Sequence, residues 1–237
     1  MNPYQPSRSG VDAPWGAGAR SDSRDRFLVR TYNTLFVAIL AFAGIEFSLF
    51  FSGLAEPIAR ALLGTSWFLV LGAFMVVGWL ATRAAHTAES KVAQYSALAA
   101  YVVMEAIIFV PLLFIANRYA PGVISSAGAI TIAGFAGLTG IAFWTRKDFS
   151  FLGGLIKWGG IVALLLIGGS MIFGFQLGVF FSVAMIGLAG AAILYDTSKI
   201  LRDFPEDRYV GAALQLFASV ALMFWYVLQL LMSLNRR

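Results

Sequence analysis

Acidic side chains inside two long apolar stretches are the first candidates for chemistry in this sequence. Glu46 lies beyond the middle of the first stretch, and Glu105 lies close to the middle of the third. An ionised side chain at a helix centre costs roughly 2.5–3.5 kcal/mol in lipid, so each of these residues needs a physical reason. A glutamate stem is too short to reach the interface, so each carboxyl is either neutral or faces a partner or a water-filled cavity. Both residues are therefore candidate ion or pH-sensor sites.

Two further ionisable residues lie nearer the ends of apolar stretches. Lys157 is about seven residues into the fifth stretch, and its long aliphatic stem predicts an ammonium group that reaches the interface. Asp196 ends the sixth stretch, shortly before Lys199. Spacing alone leaves two interpretations of Asp196 open. It is either an interfacial residue paired with Lys199 or Arg202, or a functional carboxylate.

The composition indicates that these residues belong to an integral membrane protein. The chain has 237 residues, of which 59% are hydrophobic and 12% are charged, and its mean hydropathy is +0.80. Soluble domains carry about 25% charged residues. Seven apolar stretches each approach the roughly 20 residues that a helix needs to cross the hydrocarbon core. They are residues 31–52, 66–84, 94–116, 122–144, 150–173, 177–197 and 209–233.

The predicted fold is all-α, a bundle of seven transmembrane helices that forms a single domain over residues 31–237. Helices are favoured over a barrel because the apolar runs are continuous and do not alternate over about ten residues. Residues 1–30 are polar, basic and rich in glycine, proline and serine, which predicts a disordered tail. The first apolar stretch has the length of a span and follows this long polar segment, so we expect an uncleaved anchor.

The distribution of lysine and arginine predicts the orientation in the membrane. Of the 17 such residues, 13 lie in or beside the N-terminal tail and the loops that follow the second, fourth and sixth stretches, and four lie on the other side. This excess predicts a cytoplasmic N-terminus and a C-terminus on the opposite side. Because the cations lie between apolar spans rather than in one patch, a nucleic-acid partner is excluded and the lipid bilayer is the expected surrounding.

Small residues at helical spacing predict where helices approach one another closely. The fourth stretch has glycines three residues apart, and the sixth has a similar series that ends in alanine. Such residues let two backbones pack closely in lipid. The predicted packing positions are Gly134, Gly137, Gly140, Gly187 and Gly190.

Several classes of enzyme and receptor are excluded by missing residues. The chain has no cysteine and one histidine, which excludes thiolate catalysis and a His-Glu-x-x-His zinc site. The Gly-x-Gly-Asp motif of intramembrane aspartyl proteases and the Gly-x-Ser-Gly motif of rhomboid proteases are absent from the sequence. The last stretch also lacks the lysine that a retinal protein needs. We predict a protein that is not an enzyme and that holds no cofactor.

Four segments of the sequence form a recognisable set. They are RTY (30–32), TRKDFSFLGG (145–154), AILYDTSKI (192–200) and AALQLF (212–217). Together they resemble the Bax inhibitor family, also called the transmembrane Bax inhibitor motif family, and most closely its bacterial YccA-like branch. The resemblance covers nearly all of the chain after residue 26. It implies a bacterial inner-membrane protein, a seven-helix bundle whose last helix is enclosed by the others, and a cytoplasmic N-terminus.

The resemblance implies two alternative roles. Members of the YccA-like branch are substrates and modulators of the membrane-anchored AAA protease FtsH in membrane stress and quality control, and the polar tail would be the segment that the protease grips. Other members of the family are pH-sensitive calcium leaks, so the alternative is a leak for calcium or protons with calcium as the transported ion.

The sequence departs from the leak members at one position. In those members an Asp at the position of Asp196 shares protons with a second Asp on the last helix. Alignment through residues 214–217 places that second position on Ser219, and a serine does not titrate near neutral pH. The pair of carboxylates that senses pH in the leak members is therefore not present at these two positions. Glu105 is a candidate replacement for the missing partner, although its depth in the membrane argues against direct contact with Asp196.

Overall fold

The structure, a computed structural model, describes residues 14–235. In chain order the helices are α1 (Pro14–Phe51), α2 (Ala55–Leu63), α3 (Trp67–Thr87), α4 (Lys91–Tyr119), α5 (Val123–Thr145), α6 (Leu152–Phe173), α7 (Gly178–Arg202) and α8 (Tyr209–Asn235). A single 3-10 turn, Glu206–Arg208, precedes α8. Within the described residues there is no strand, and every helix except α2 is long and apolar enough to cross a membrane. The predicted all-α fold of seven spans is confirmed.

The short helix α2 was not predicted from the sequence. It follows the first span and contains Pro57 near its start, because proline is tolerated in the first turn of a helix. Ala55 and Ala59 are buried and pack around Val110 of α4. The connection between the first two spans is therefore a helix that lies against the bundle.

The first helix begins earlier than predicted. Residues 1–30 were expected to be a disordered tail, but α1 begins at Pro14. Phe27 is 2% exposed and stacks on Phe204 with ring centroids 6.2 Å apart. Arg24 donates to the carbonyl oxygens of Phe204, at 2.7 Å, and of Ile200. These contacts hold the basic segment as helix, because the guanidinium satisfies carbonyls near the end of α7. Residues 1–13 of the predicted tail lie outside the described residues.

Helix α8 lies at the centre of the bundle, as the resemblance implied. It packs against α1, α3, α4, α5 and α7, and Leu214, Leu216 and Leu228 on it are almost completely buried. Phe109 of α4 stacks on Phe224 of α8 with ring centroids 5.6 Å apart. In contrast, α6 has a single buried residue and packs chiefly against α7. The bundle is therefore a ring of helices around α8, with α6 at its periphery.

Two of the five predicted packing glycines lie at a close approach, and both meet the same side chain. A Cβ at Gly134 would lie 3.3 Å from the sulfur of Met223, and a Cβ at Gly190 would lie 3.7 Å from the methyl group of that residue. The other three predicted positions face open space, since a Cβ there would meet no atom within 4 Å. They are Gly137, Gly140 and Gly187. The close-packing prediction is wrong for those three within this chain.

The tightest approach between backbones was not predicted. It lies at Gly211 near the start of α8, where a Cβ would stand 3.0 Å from the carbonyl oxygen of Ala85 on α3. The neighbouring atom belongs to a helix backbone, so it cannot move aside cheaply. Glycine at this position lets the central helix pass directly against α3.

Candidate functional site

Asp196 is held between two helices by two neutral hydrogen-bond donors. It lies on α7 about 9 Å before the helix ends at Arg202, at 1.5 Å per residue, and is 4% exposed. Its Oδ1 accepts a hydrogen bond from Nε2 of Gln215 at 2.7 Å, and its Oδ2 accepts one from Oγ of Ser219 at 2.8 Å. Gln215 and Ser219 are four residues apart on α8, so they share one face of that helix. We call these three side chains the Asp196 clamp, because they tie α7 to α8.

No ion pair joins Asp196 to the cations that follow it. The Lys199 ammonium lies over the ring of Tyr195, 5.5 Å from its centroid. Arg202 pairs instead with Asp148, at 2.5 Å. Spacing had left the pairing of Asp196 with Lys199 or Arg202 open, and the structure contradicts it. The carboxyl oxygens are met instead by an amide and a hydroxyl.

The two most specific motifs of the sequence, residues 145–154 and 192–200, contact each other. The Oγ of Ser198 accepts the backbone N–H of Phe149 at 3.2 Å and donates to the carbonyl of Lys147 at 3.3 Å. A Cβ at Gly153 would lie 3.0 Å from a ring carbon of Tyr195. The loop between α5 and α6 therefore docks on the end of α7, directly beside the Asp196 clamp.

A charged contact fixes the same loop from outside. Asp148 lies between the spans, and its Oδ1 also accepts the backbone N–H of Ser150 at 2.7 Å. The hydrogen bond from the Arg202 guanidinium, together with that of Ser150, lowers the pKa of Asp148 to about 2. The carboxylate stays ionised under all but strongly acidic conditions, so the loop keeps its anchor on α7.

Thr197, the residue after Asp196, belongs to a cluster of buried hydroxyl groups. The hydroxyl of Tyr32 on α1 lies beside those of Thr139 on α5 and Thr197 on α7, but none of the three is in hydrogen-bond geometry. Thr197 is fully buried. Residues 196 to 198 thus face three different neighbours: α8, the hydroxyl cluster and the α5–α6 loop. The motif on α7 is therefore a junction with α8, with the hydroxyl cluster and with the α5–α6 loop.

Glu105 does not replace the missing carboxylate partner of Asp196. It lies about 21 Å along α4 from Lys91, whereas Asp196 lies about 9 Å from the same end of the bundle, so their positions differ by about 12 Å in depth. Glu105 is 5% exposed, and its Oε2 has no hydrogen-bond partner among the described residues. It lines a cavity between α3, α4, α6, α7 and α8.

The other two intramembrane ionisable residues are separate from the clamp. Glu46 lies about 8 Å before the end of α1 and is 7% exposed. Neither of its carboxyl oxygens has a partner in the part of the chain that the structure describes. Lys157 is exposed on α6, near the start of the helix. Its placement agrees with an ammonium that reaches the interface.

Gln215 is the site residue that the sequence reasoning missed. It belongs to the segment AALQLF (212–217), which resembles the family, but the sequence alone predicts no role for its amide. The signal in the sequence is its spacing of four residues from Ser219, because two polar side chains on one face of an apolar span indicate a common partner.

Among residues 23–235, no three His, Cys, Asp or Glu side chains come together as a metal site would require.

Comparison with known proteins places the chain in a family. The profile described as Inhibitor of apoptosis-promoting Bax1 matches residues 24–236. The uncharacterized protein PA2604 of Pseudomonas aeruginosa is 38% identical over 111 residues, which are 46% of this chain and 49% of that protein. The uncharacterized protein Cj0236c of Campylobacter jejuni is 32% identical over 48% of this chain and 50% of its own length. The uncharacterized protein NMA0420 of Neisseria meningitidis is 28% identical over 53% of this chain and 56% of its own. The chain spans about half the length of these curated relatives.

Proposed function

This chain belongs to the Bax inhibitor family, and from that premise we propose that it modulates an FtsH-type membrane protease in membrane quality control. The proposal includes a bacterial inner membrane and a cytoplasmic N-terminus, which the excess of 13 cations over four favours. The observation that carries it is the Asp196 clamp. Asp196 is bound by Gln215 and Ser219, and no second carboxylate takes part among the described residues.

The clamp favours a bundle that stays closed over a bundle that opens with pH. Two carboxylates in contact are held together by a shared proton and repel each other once both are ionised. A hydroxyl and an amide instead donate to the carboxylate in its ionised form, and the bonds need no shared proton. Ser219 therefore supports a lasting tie between α7 and α8, whereas a second aspartate would make that tie depend on pH.

Further ties at the same end of the bundle support resistance to extraction. Arg24 at the start of α1 binds carbonyl oxygens near the end of α7. Lys91 donates to the carbonyl of Asp207, and Arg208 donates to the carbonyl of Ala88. A protease that pulls on the N-terminus would have to break the Arg24 contacts before it could withdraw α1. Such a protein occupies the protease while yielding slowly, and this is how a substrate also acts as a modulator.

Crosslinking in native membranes tests the proposal. The full chain should capture an FtsH-type protease, and a variant that lacks residues 1–22, and so retains Arg24 and Phe27, should not. The matched control replaces residues 1–22 by a glycine–serine segment of equal length and should also lose the capture. Recovery of the protease with none of the three chains, or equal recovery with all of them, would refute the proposal.

A calcium or proton leak is the second candidate, because Asp196 occupies the position of the family's marker acid and is buried in a span. The ion flux of purified protein in liposomes distinguishes the leak from the role at a protease. The liposomes contain a calcium or a pH indicator, and the flux is measured at acid and at alkaline pH. The clamp predicts that wild-type protein gives no flux that rises with pH. A flux that rises with pH and is abolished in Asp196→Asn would replace the first proposal by the second.

A further inference from the structure

A large cavity opens between the two peripheral helices α3 and α6. Helix α3 packs on α4 and α8, helix α6 packs chiefly on α7, and the two helices form no packed interface with each other. The space between them measures about 740 Å³, within the range of roughly 300–1,000 Å³ that small-molecule sites occupy. Its walls are mainly apolar, with Phe74, Leu164, Met185 and Trp225 among them. We call it the α3–α6 groove.

The groove contains one carboxyl group, that of Glu105. No lysine, arginine or histidine is among the lining residues, all of which lie in the described part of the chain. Glu105 is 5% exposed and its Oε2 has no hydrogen-bond partner there. A buried polar atom without a partner costs free energy that a bound donor would recover. An apolar cavity with a single unpaired carboxyl has the composition of a ligand site, in which a few polar groups orient the ligand.

The position of the groove limits how a ligand can enter. Its edges are lined by exposed residues of α3 and α6, such as Met75, 51% exposed, and Leu164, 47% exposed. These edges lie within spans, so a ligand can reach the groove from the hydrocarbon core, and the groove also extends to Gln176 and Leu177 in the loop between α6 and α7. Glu105 lies near the middle of α4, too deep for the headgroup of a phospholipid anchored at the interface. The occupant must therefore dissolve in the membrane and carry a small polar group.

We propose that the α3–α6 groove binds a lipophilic amine whose amino group pairs with Glu105. Charge complementarity selects an amine over an alcohol or an acid. An amine crosses lipid as the neutral base, and the carboxyl proton can pass from the Glu105 oxygen to the amine nitrogen. The product is a carboxylate–ammonium pair, so no net charge enters the membrane. The apolar walls take up the hydrocarbon part of the ligand. This site is independent of the Asp196 clamp and of the proposed role at a protease.

Glycines on α6 provide a matched test of the space itself. Gly160 lines the groove, and a Cβ there would meet no atom within 4 Å. Gly160→Leu therefore extends a side chain into the groove from a Cβ that meets no neighbour. Gly168 on the same helix also faces open space but does not line the groove. Gly168→Leu is accordingly the control for any effect of leucine on α6.

The experiment measures equilibrium binding of radiolabelled dodecylamine to the purified full chain in lipid nanodiscs, with empty nanodiscs subtracted. Unlabelled dodecylamine should displace the label, and dodecan-1-ol should displace it at least tenfold less well. Glu105→Gln should weaken binding about tenfold or more, because hydrogen bonds to charged groups contribute about 1.5–3 kcal/mol and 1.4 kcal/mol is a factor of ten. Glu46→Gln, which changes a buried carboxyl outside the groove, should bind like wild type.

Two results would overturn the inference. If dodecan-1-ol displaces the labelled amine as well as unlabelled dodecylamine does, the groove binds the hydrocarbon chain and does not select the amino group. Unchanged affinity in both Glu105→Gln and Gly160→Leu would show that the amine binds elsewhere. If Glu105→Gln fails to fold, as judged by size-exclusion chromatography and thermal unfolding, the glycine pair decides. Binding must then be lost in Gly160→Leu and retained in Gly168→Leu.

Discussion

Replacing Ser219 by alanine removes one of the two donors to Asp196 and leaves Oδ2 without its partner. Hydrogen bonds between transmembrane helices contribute about 0.6 kcal/mol on average and up to about 1.7 kcal/mol, and charge-assisted bonds are roughly twice as strong as neutral ones. The bond from Ser219 is 2.8 Å long and buried. We therefore expect Ser219→Ala to cost about 1–2 kcal/mol, above the average for membrane proteins. In a chain of this size that lowers the unfolding temperature by about 2–8 °C.

The assay is thermal unfolding of the purified protein in one detergent, with Ser233→Ala as the matched control. Ser233 lies on the same helix and donates only to the carbonyl of Leu230 in its own helix, so its loss should change the unfolding temperature little. A double-mutant cycle with Asp196→Asn isolates the contact and should give a coupling of about 1 kcal/mol or more. A coupling near zero, or an equal loss in Ser233→Ala, would refute the assignment of a clamp.

Three further outcomes follow from the geometry. Ser219→Asp should make the unfolding temperature fall more steeply than that of wild-type protein as pH rises through neutrality, because the new pair needs a shared proton. Asp148→Asn should lower the unfolding temperature at pH 6 but much less at pH 2.5, since the Arg202 guanidinium lowers the pKa of Asp148 to about 2 from about 3.9 in the unfolded chain. The stabilisation is thus complete above about pH 4 and disappears as the pH falls towards 2. Gly211→Ala should destabilise the protein, because its Cβ would meet a carbonyl oxygen of α3 at 3.0 Å. Gly137→Ala, whose Cβ faces open space, should not change the stability. Thermal unfolding of the two variants tests this difference.

The seven spans could be predicted because lipid imposes a length and a composition that the sequence displays directly. The predicted stretches 66–84 and 150–173 differ from α3 and α6 by at most three residues at either end. The start of α1 could not be placed in the same way, since residues 14–30 carry little apolar signal. Tertiary contacts hold this basic segment in a helix. Arg24 donates to carbonyl oxygens near the end of α7, and Phe27 stacks on Phe204.

The candidate site was predictable in part. Asp196 and Ser219 were singled out, the first by its charge in a span and the second by a resemblance, and the structure joins them. Gln215 escaped notice because a neutral amide in a span carries less of a desolvation penalty than a charge and draws less attention. Glu105 was considered as a partner for Asp196, but only the packing of the helices shows that it faces a different space.

Ser219 stands where the resemblance to the leak members implies a second aspartate, and this difference bears on what holds the central helix in place. In a pair of carboxylates the contact between α7 and α8 exists only while a proton is present, so the contact itself is the sensor. In this chain the donors come from α8, through Gln215 and Ser219, and the acceptor is on α7. Both donors are neutral, so the contact requires neither a second acid nor a proton shared between two carboxyl groups. The junction that two carboxylates would open by mutual repulsion is therefore held here by neutral donors, and this favours a stable bundle over a pH-opened leak.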